Sequence, residues 1–85
     1  MQIVFIPLAE KKLAQRGIAK AWVEETIKNP GQTVPGYGSR TVYQRRYTLP
    51  GRKEQLLRVI SEEAGKGKVI VTAYLTSDIK RYWRK

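Results

Sequence analysis

The side chains best suited to chemistry in this sequence are arginines, lysines and tyrosines, because the chain has neither histidine nor cysteine. One reaction to consider for such side chains is cleavage of RNA through its 2′-hydroxyl. It needs a base, an acid for the leaving oxygen, and a positive charge beside the phosphate. Lysine and tyrosine exchange protons near neutral pH only if their surroundings shift their pKa values. We therefore expect Arg58 and Arg45 to stabilise phosphate charge, and Tyr74 or Lys12 to transfer protons.

The sequence offers no pattern for a metal or an organic cofactor. Asp78 is the only aspartate, and Glu62 and Glu63 are adjacent in a predicted strand, so their side chains point to opposite faces. Gly36 and Gly38 lie in a loop that no helix follows, unlike the glycine loops that bind nucleotides. We expect neither a metal nor a cofactor, so any cleavage would be metal-independent.

The net charge favours a polyanionic partner. Lys and Arg number 17 against 7 Asp and Glu, which gives a formal net charge of +10. Such an excess attracts phosphate backbones or anionic lipid surfaces, but the apolar runs are much too short to cross a membrane. We expect nucleic acid, above all RNA, as the partner and no membrane association. An acidic protein partner is the alternative.

Length and composition predict one domain over residues 1–85. A chain of 85 residues leaves no room for a second core, and its 41% of hydrophobic residues are enough for one. The start Met1–Val4 lacks the charged segment and the cleavage site of a signal peptide. We therefore expect a cytoplasmic protein.

Residue patterns predict an α+β fold with the element order β-α-α-β-β-β-α. Residues 2–6 are β-branched and aromatic, which is typical of a strand. Helices are expected from Leu8 to Arg16, where Gly17 ends the first, and from about Ala19 to Lys28. Glycines and prolines up to Ser39 predict a loop. We then expect three further strands, Arg40–Leu49, Gln55–Glu63 and Lys68–Thr76. A last helix is expected to start after an N-cap at Ser77 and to contain Ile79, Tyr82 and Trp83.

The last hairpin is expected to set an arginine beside a tyrosine. A tight turn centred on Lys66 places Arg58 opposite Tyr74 and Ile60 opposite Thr72 on one face of the sheet. The other face is apolar and should pack on the helices. Its predicted pairs are Leu57 with Leu75, Val59 with Ala73, and Ser61 with Val71.

The preceding hairpin is expected to add a second arginine. A turn centred between Gly51 and Arg52 places Arg45 near Arg58, so that Arg45, Arg58 and Tyr74 form a row across three strands. Neighbouring arginines favour an anion between them, and aromatic rings beside them suit base stacking. An ordinary solvated sheet face is the alternative. The side chains expected to contact nucleic acid around this row are Arg16, Tyr43, Tyr47, Thr72, Lys80 and Arg81.

Several segments, spanning about Leu8 to Trp83, carry a family resemblance. They are residues 15–18 with the following helix and Asn29–Pro30, then residues 57–60, 71–77 and 79–83. Their order and spacing resemble a domain-of-unknown-function family of small bacterial proteins that is grouped with the RelE/ParE-type toxin fold. The resemblance implies two helices packed on a curved antiparallel sheet, cleavage of RNA or action on gyrase, and silencing by an antitoxin protein.

The match to the family pattern is uneven. Leu8 stands where the family has a histidine, and Lys12 and Leu75 stand where it has arginines. The missing histidine removes the usual acid–base group but leaves phosphate binding intact. The residues that match the pattern are Arg16, Arg58, Thr72 and Tyr74.

The sequence supports three functional hypotheses. In the first, a RelE/ParE-like toxin-type domain binds RNA through the face that carries Arg45, Arg58 and Tyr74, and cleaves it. In the second, a non-catalytic module keeps the fold and only binds nucleic acid. In the third, the chain is a toxin-type or partner-binding domain directed at a protein, and its basic face meets an acidic antitoxin segment.

Overall fold

A computed structural model describes residues 2–48, 50–65 and 67–84. In this part of the chain the fold is α+β, with three short helices and five strands. In chain order the elements are β1 Gln2–Phe5, α1 Pro7–Arg16, α2 Lys20–Lys28, β2 Gln32–Pro35, β3 Arg40–Thr48, β4 Glu54–Ala64, β5 Gly67–Thr76 and α3 Ile79–Tyr82.

The strands form one mixed sheet in the order β1-β5-β4-β3-β2. The pairings β2–β3, β3–β4 and β4–β5 are antiparallel, whereas β1 lies parallel to β5. The predicted all-antiparallel sheet is therefore wrong at one edge. Parallel neighbours need a long connection, and the chain from α1 through β4 supplies it.

The strand β2 was predicted as a loop. Pro35 and the glycines after it suggested irregular backbone, yet Val34 pairs with Val42 and is buried. β2 is an edge strand, where one row of backbone groups has no strand partner, and a proline is tolerated there. The prediction failed because the proline rule depends on the position of a strand in its sheet.

The helices α1 and α2 follow the predicted bounds within one residue. Pro7 occupies the first turn of α1, and Gly17 ends it with a left-handed φ of 66° that suits glycine. Both helices pack on the same face of the sheet. The core between them contains Ala9, Leu13, Ile18, Val23, Ile27, Tyr43, Leu57, Val59, Ile70 and Ala73.

The register of β4 and β5 confirms the predicted pair of Arg58 with Tyr74, and also Leu57 with Leu75 and Val59 with Ala73. A β-bulge between Ile60 and Ser61 then shifts the ladder, so that Ser61 pairs with Ile70 rather than Val71. Lys66, on which the predicted turn was centred, lies outside the described residues.

The register of β3 and β4 differs from the prediction by one residue. Gln44, not Arg45, lies opposite Arg58, while Arg45 pairs with Leu57. The connection is centred on Gly51, which has a φ of 71°, rather than between residues 51 and 52. Because side chains alternate along a strand, this shift moves Arg45 to the face that the helices cover.

The helix α3 packs on the opposite face of the sheet from α1 and α2. Gln44 Nε2 donates to the carbonyl of Tyr82 over 3.2 Å, and the N–H of Arg84 donates to Gln32 Oε1 over 3.0 Å. The N-cap is Asp78 rather than the predicted Ser77, since Thr76 Oγ1 accepts the Asp78 N–H and ends the strand there. None of the helices in residues 2–48, 50–65 and 67–84 has the length and apolar character to span a membrane.

Candidate functional site

The sheet face turned away from α1 and α2, the open face, contains a groove of about 440 Å³. It runs across β2, β3, β4 and β5, and α3 lies over the adjoining part of the face. A concave surface of this size is in the range that binds small ligands. The groove is lined by Pro35, Gly36, Tyr37, Arg40, Val42, Arg58, Ile60, Thr72 and Tyr74.

Arg58 is half-buried at the centre of the open face and is held by neutral partners. Its Nε donates to Gln44 Oε1 over 2.7 Å, and its Nη1 donates to Tyr74 Oη over 2.5 Å. Its guanidinium carbon lies 4.1 Å from the centre of the Tyr82 ring. Among the described residues Arg58 forms no ion pair. A half-buried cation without a carboxylate is a suitable binding point for an anion.

Arg16 reaches the same face from the end of α1. Its Nη1 donates to Thr72 Oγ1 over 3.1 Å and to the carbonyl of Ala73 over 2.8 Å. That carbonyl lies in a stretch of β5 beyond the residues that pair with β1, so a side chain takes the place of a neighbouring strand. No carboxylate in the described chain pairs with Arg16 either.

Two other cations of the open face are paired with carboxylates. Arg40 lies 3.2 Å from Glu62, which also accepts a hydrogen bond from Ser39. Arg46 lies 2.7 Å from Glu54. On the strands of the open face, the charges of Arg40 and Arg46 are therefore compensated, whereas that of Arg58 between them is not.

Arg45 and Tyr47 do not belong to the site, in contrast to the prediction. Arg45 lies 3.2 Å from Glu25 and donates to the carbonyl of Asn29 over 2.6 Å. The Tyr47 ring stacks on Trp22 with 5.0 Å between centres and 6° between planes. Both side chains pack against α2, because the true register of β3 turns them to the helix side.

Tyr43 was also predicted to contact nucleic acid, but its side chain packs in the core that faces the helices and not on the open face. It is 7% exposed on the helix side, where it forms the Tyr43 cluster with Ser61, Glu63 and Lys68. Tyr43 donates to Glu63 over 2.8 Å, and Lys68 donates to both of them. Burial raises the pKa of Tyr43, against the hydrogen bond from Lys68.

The charged members of the Tyr43 cluster are tuned by their mutual contacts. Hydrogen bonds to Glu63 and Tyr43 raise the pKa of Lys68. Burial opposes ionisation of Glu63, but hydrogen bonds from Lys68, Tyr43 and Ser61 together lower its pKa. The cluster thus stabilises an ionised lysine and glutamate within the protein rather than a charge that faces a ligand.

The remaining predicted residues lie at the margins of the groove or outside it. Lys12 is half-buried, one turn before Arg16 on α1, and the described residues that line the groove do not include it. Lys80 and Arg81 are exposed on α3, and Arg81 lies 5.4 Å from the centre of the Tyr82 ring. Of the ten predicted site residues, the structure brings Arg16, Arg58, Thr72 and Tyr74 together.

Three residues of the site were missed from sequence. Gln44 is fully buried and orients Arg58, and only the correct register of β3 would have revealed this role. Tyr82 covers the Arg58 guanidinium from the last helix. Tyr37 is 94% exposed at the groove, and an aromatic residue between Gly36 and Gly38 in a loop was the signal for it.

Residues 9–75 match the model of a protein family described as Domain of unknown function (DUF4258). A search of curated proteins and a search of solved structures each gave no significant match. Within the described residues no three potential metal-ligating side chains form a group.

Proposed function

The chain belongs to the Domain of unknown function (DUF4258) family, and we propose that it is a RelE/ParE-type cytoplasmic domain that binds RNA on its open face. The observation that carries the proposal is Arg58, a half-buried guanidinium that has hydrogen-bond partners but no counterion among the described residues. A phosphate oxygen that accepts from this guanidinium would compensate its charge.

The surroundings of Arg58 favour a phosphodiester. Arg16 donates to the hydroxyl of Thr72, and Thr72 lines the same groove as Arg58, so a second cation lies at the β5 side of the groove. Guanidinium groups bind phosphate oxygens with paired hydrogen bonds, and hydroxyls add further ones. The net charge of +10 draws a polyanion toward this surface from a distance.

Cleavage of the bound RNA is the second candidate function, and one contact favours it. The Arg58 guanidinium donates directly to Tyr74 Oη, so a phosphate held by Arg58 would lie beside a phenolic hydroxyl. A phenolic hydroxyl in that position can donate its proton to the 5′-oxygen that leaves phosphorus, while the attacking 2′-oxygen loses its proton to water and Arg58 stabilises the developing charge on the phosphate. Arg45 takes no part in this mechanism because it lies on the other face of the sheet.

Binding is tested by comparing Arg58→Ala with Arg46→Ala. Both variants remove one positive charge from the open face, but Arg46 already has Glu54 as a partner. We expect Arg58→Ala to weaken binding of a single-stranded RNA oligonucleotide about 10- to 100-fold at about 50 mM salt, since hydrogen bonds to charged groups contribute about 1.5–3 kcal/mol. Arg46→Ala should change the affinity less than about threefold.

The readout is fluorescence anisotropy of labelled RNA over a range of salt concentrations, with circular dichroism to confirm that each variant folds. Equal losses for the two variants would mean that net charge alone attracts RNA, which contradicts a site at Arg58. If RNA does not bind but an acidic peptide does, the basic face is a protein-binding surface instead.

Cleavage is tested with Tyr74→Phe on the same RNA. Under the catalytic hypothesis this variant binds RNA within about threefold of the unmodified protein, and gel electrophoresis shows that cleavage is lost. If the unmodified protein binds but leaves the RNA intact, the domain is a non-catalytic binding module.

A further inference from the structure

We propose that the groove selects single-stranded RNA, with one unpaired base stacked on Tyr37 and the adjoining phosphate at Arg58. This inference rests on the RNA-binding function proposed above and specifies which form of RNA is bound.

The exposure of Tyr37 is the first observation. Its side chain is 94% exposed, whereas the other tyrosines of the described chain are buried or half-buried. The loop that carries it is fixed at both ends, because Gly36 N–H donates to the Arg40 carbonyl over 2.9 Å and Arg40 N–H donates to the Tyr37 carbonyl over 3.1 Å. Contact of another group with the faces of an aromatic ring is stabilising. A ring that a defined turn holds in solvent is therefore available to stack on a planar partner.

The division of the groove is the second observation. Pro35, Val42 and Ile60 line the groove together with Tyr37 and form an apolar surface on β2, β3 and β4. Arg58, Thr72 and Tyr74 supply the polar surface on β4 and β5. A nucleotide has the same division, with an apolar ring at one end and a charged phosphate at the other. The groove volume of about 440 Å³ suits one such unit.

Single strands fit this arrangement better than duplexes. Aromatic side chains bind RNA by stacking on unpaired bases of single strands and loops. In a duplex the bases are paired and stacked on each other, so their faces cannot reach the Tyr37 ring, although the phosphates can still reach cations. Tyr37 should therefore contribute to binding of single strands only.

The test compares one oligonucleotide of 12 nucleotides with the same strand annealed to its complement. We expect Tyr37→Ala to weaken binding of the single strand about 5- to 100-fold, the effect of losing one base–aromatic stack, and to leave duplex binding unchanged. Tyr37→Phe keeps the ring and should bind like the unmodified protein. Leu8→Ala is a matched control, since Leu8 is also an exposed apolar residue, at 56%, but lies on α1.

The possible results distinguish a failure of the stacking proposal from a failure of the proposed RNA site. If Tyr37→Ala weakens neither form, or weakens both equally, stacking on an unpaired base is contradicted while RNA binding at Arg58 stands. If Arg58→Ala leaves both forms unaffected, the proposed RNA site itself is wrong. If Tyr37→Ala abolishes capture of an acidic peptide and leaves the RNA affinities as they were, the loop contacts a protein and the inference is overturned.

Discussion

Two tyrosines of this protein each accept a hydrogen bond from a basic side chain, on opposite faces of one sheet. On the helix side Lys68 donates to Tyr43, and on the open face Arg58 donates to Tyr74. The helix-side pair also contains Glu63, which lies 2.7 Å from Lys68. No carboxylate among the described residues joins the open-face pair.

The comparison shows that a cation beside a tyrosine is not by itself a site. In the Tyr43 cluster the charge of Lys68 is satisfied by Glu63 within the protein, so loss of Glu63 would leave a partly buried charge without its partner. At Arg58 the same pair of residue types leaves the positive charge available to an external anion. The presence or absence of one carboxylate separates a structural cluster from a candidate binding site.

The largest effect is expected when the open-face pair is given the carboxylate that it lacks. Thr72→Glu places an acidic group between Arg16 and Arg58, diagonally across the strands from Arg58 and within reach of a long side chain. It neutralises the site and repels phosphate. We expect RNA affinity to fall by about 30-fold or more, given that close charge pairs couple by about 2 kcal/mol or more. Anisotropy titration measures this loss.

Thr33→Glu is the control for that experiment. Thr33 is exposed on β2 and lies outside the groove, so the variant has the same net charge without an acid at the site. Its affinity should fall less than about threefold, as expected for a remote surface charge. Similar losses of RNA affinity in both variants would show that the position of the introduced glutamate does not affect binding.

The opposite change removes the carboxylate from the helix-side pair. Glu63→Gln leaves Lys68 without a counterion, and the Lys68 side chain is only 19% exposed. We expect the free energy of unfolding to fall by about 1–2 kcal/mol, between the values for exposed and buried pairs. Urea denaturation at pH 7 measures it.

Glu10→Gln serves as the matched control, because its partner Lys20 is about half exposed and the pair contributes less than about 1 kcal/mol. A loss in Glu63→Gln no greater than in this control would mean that the Tyr43 cluster is an ordinary surface contact. The comparison between the two tyrosine pairs would then lose its basis.

The open-face pair was accessible from sequence, whereas its neighbours were not. Next to the turn after β4 the register differs by one residue from the prediction, since Ser61 pairs with Ile70, and the bulge at Ser61 offsets this difference, so that Arg58 lies opposite Tyr74 as predicted. The position of the turn after β3 could not be fixed to one residue from its glycine and proline. That single residue decided whether Arg45 or Gln44 would face Arg58.

The missing counterion could not be read from sequence either. Glu54 and Glu62 lie on β4, the strand that carries Arg58. Because side chains alternate along the strand, both glutamates lie on the same face of the sheet as Arg58. Only the packed structure shows that Arg46 and Arg40 engage these carboxylates. The parallel edge strand β1 likewise depends on tertiary packing, since strand propensity does not specify a partner or a direction.

A smaller effect is expected from pH, and its sign follows from the Tyr43 cluster. In the folded protein the pKa of Glu63 lies below its ordinary value of 4.5. Ionisation of Glu63 therefore stabilises the fold above pH 4.5, and this stabilisation is lost as the pH falls through the pKa that Glu63 has in the folded protein. Lys68 and Tyr43 have raised pKa values, so their contributions are lost as the pH rises above about 10.

Urea denaturation between pH 3 and pH 7 measures the acid side. The difference in stability between the unmodified protein and Glu63→Gln should be constant above about pH 5 and shrink below it. A difference that grows toward acid pH would contradict the assignment of Glu63 as an ionised hydrogen-bond acceptor.

The smallest effect is expected at the rim of the groove, where Glu62→Gln converts a paired cation into an unpaired one. Arg40 lines the groove, and its pair with Glu62 is largely exposed, so stability should change by less than about 1 kcal/mol. The released Arg40 would then resemble Arg58, and RNA affinity should rise about two- to threefold with a steeper dependence on salt. Glu54→Gln releases Arg46 outside the groove, and a rise confined to Glu62→Gln would show that phosphate is bound in the groove rather than by the whole basic surface.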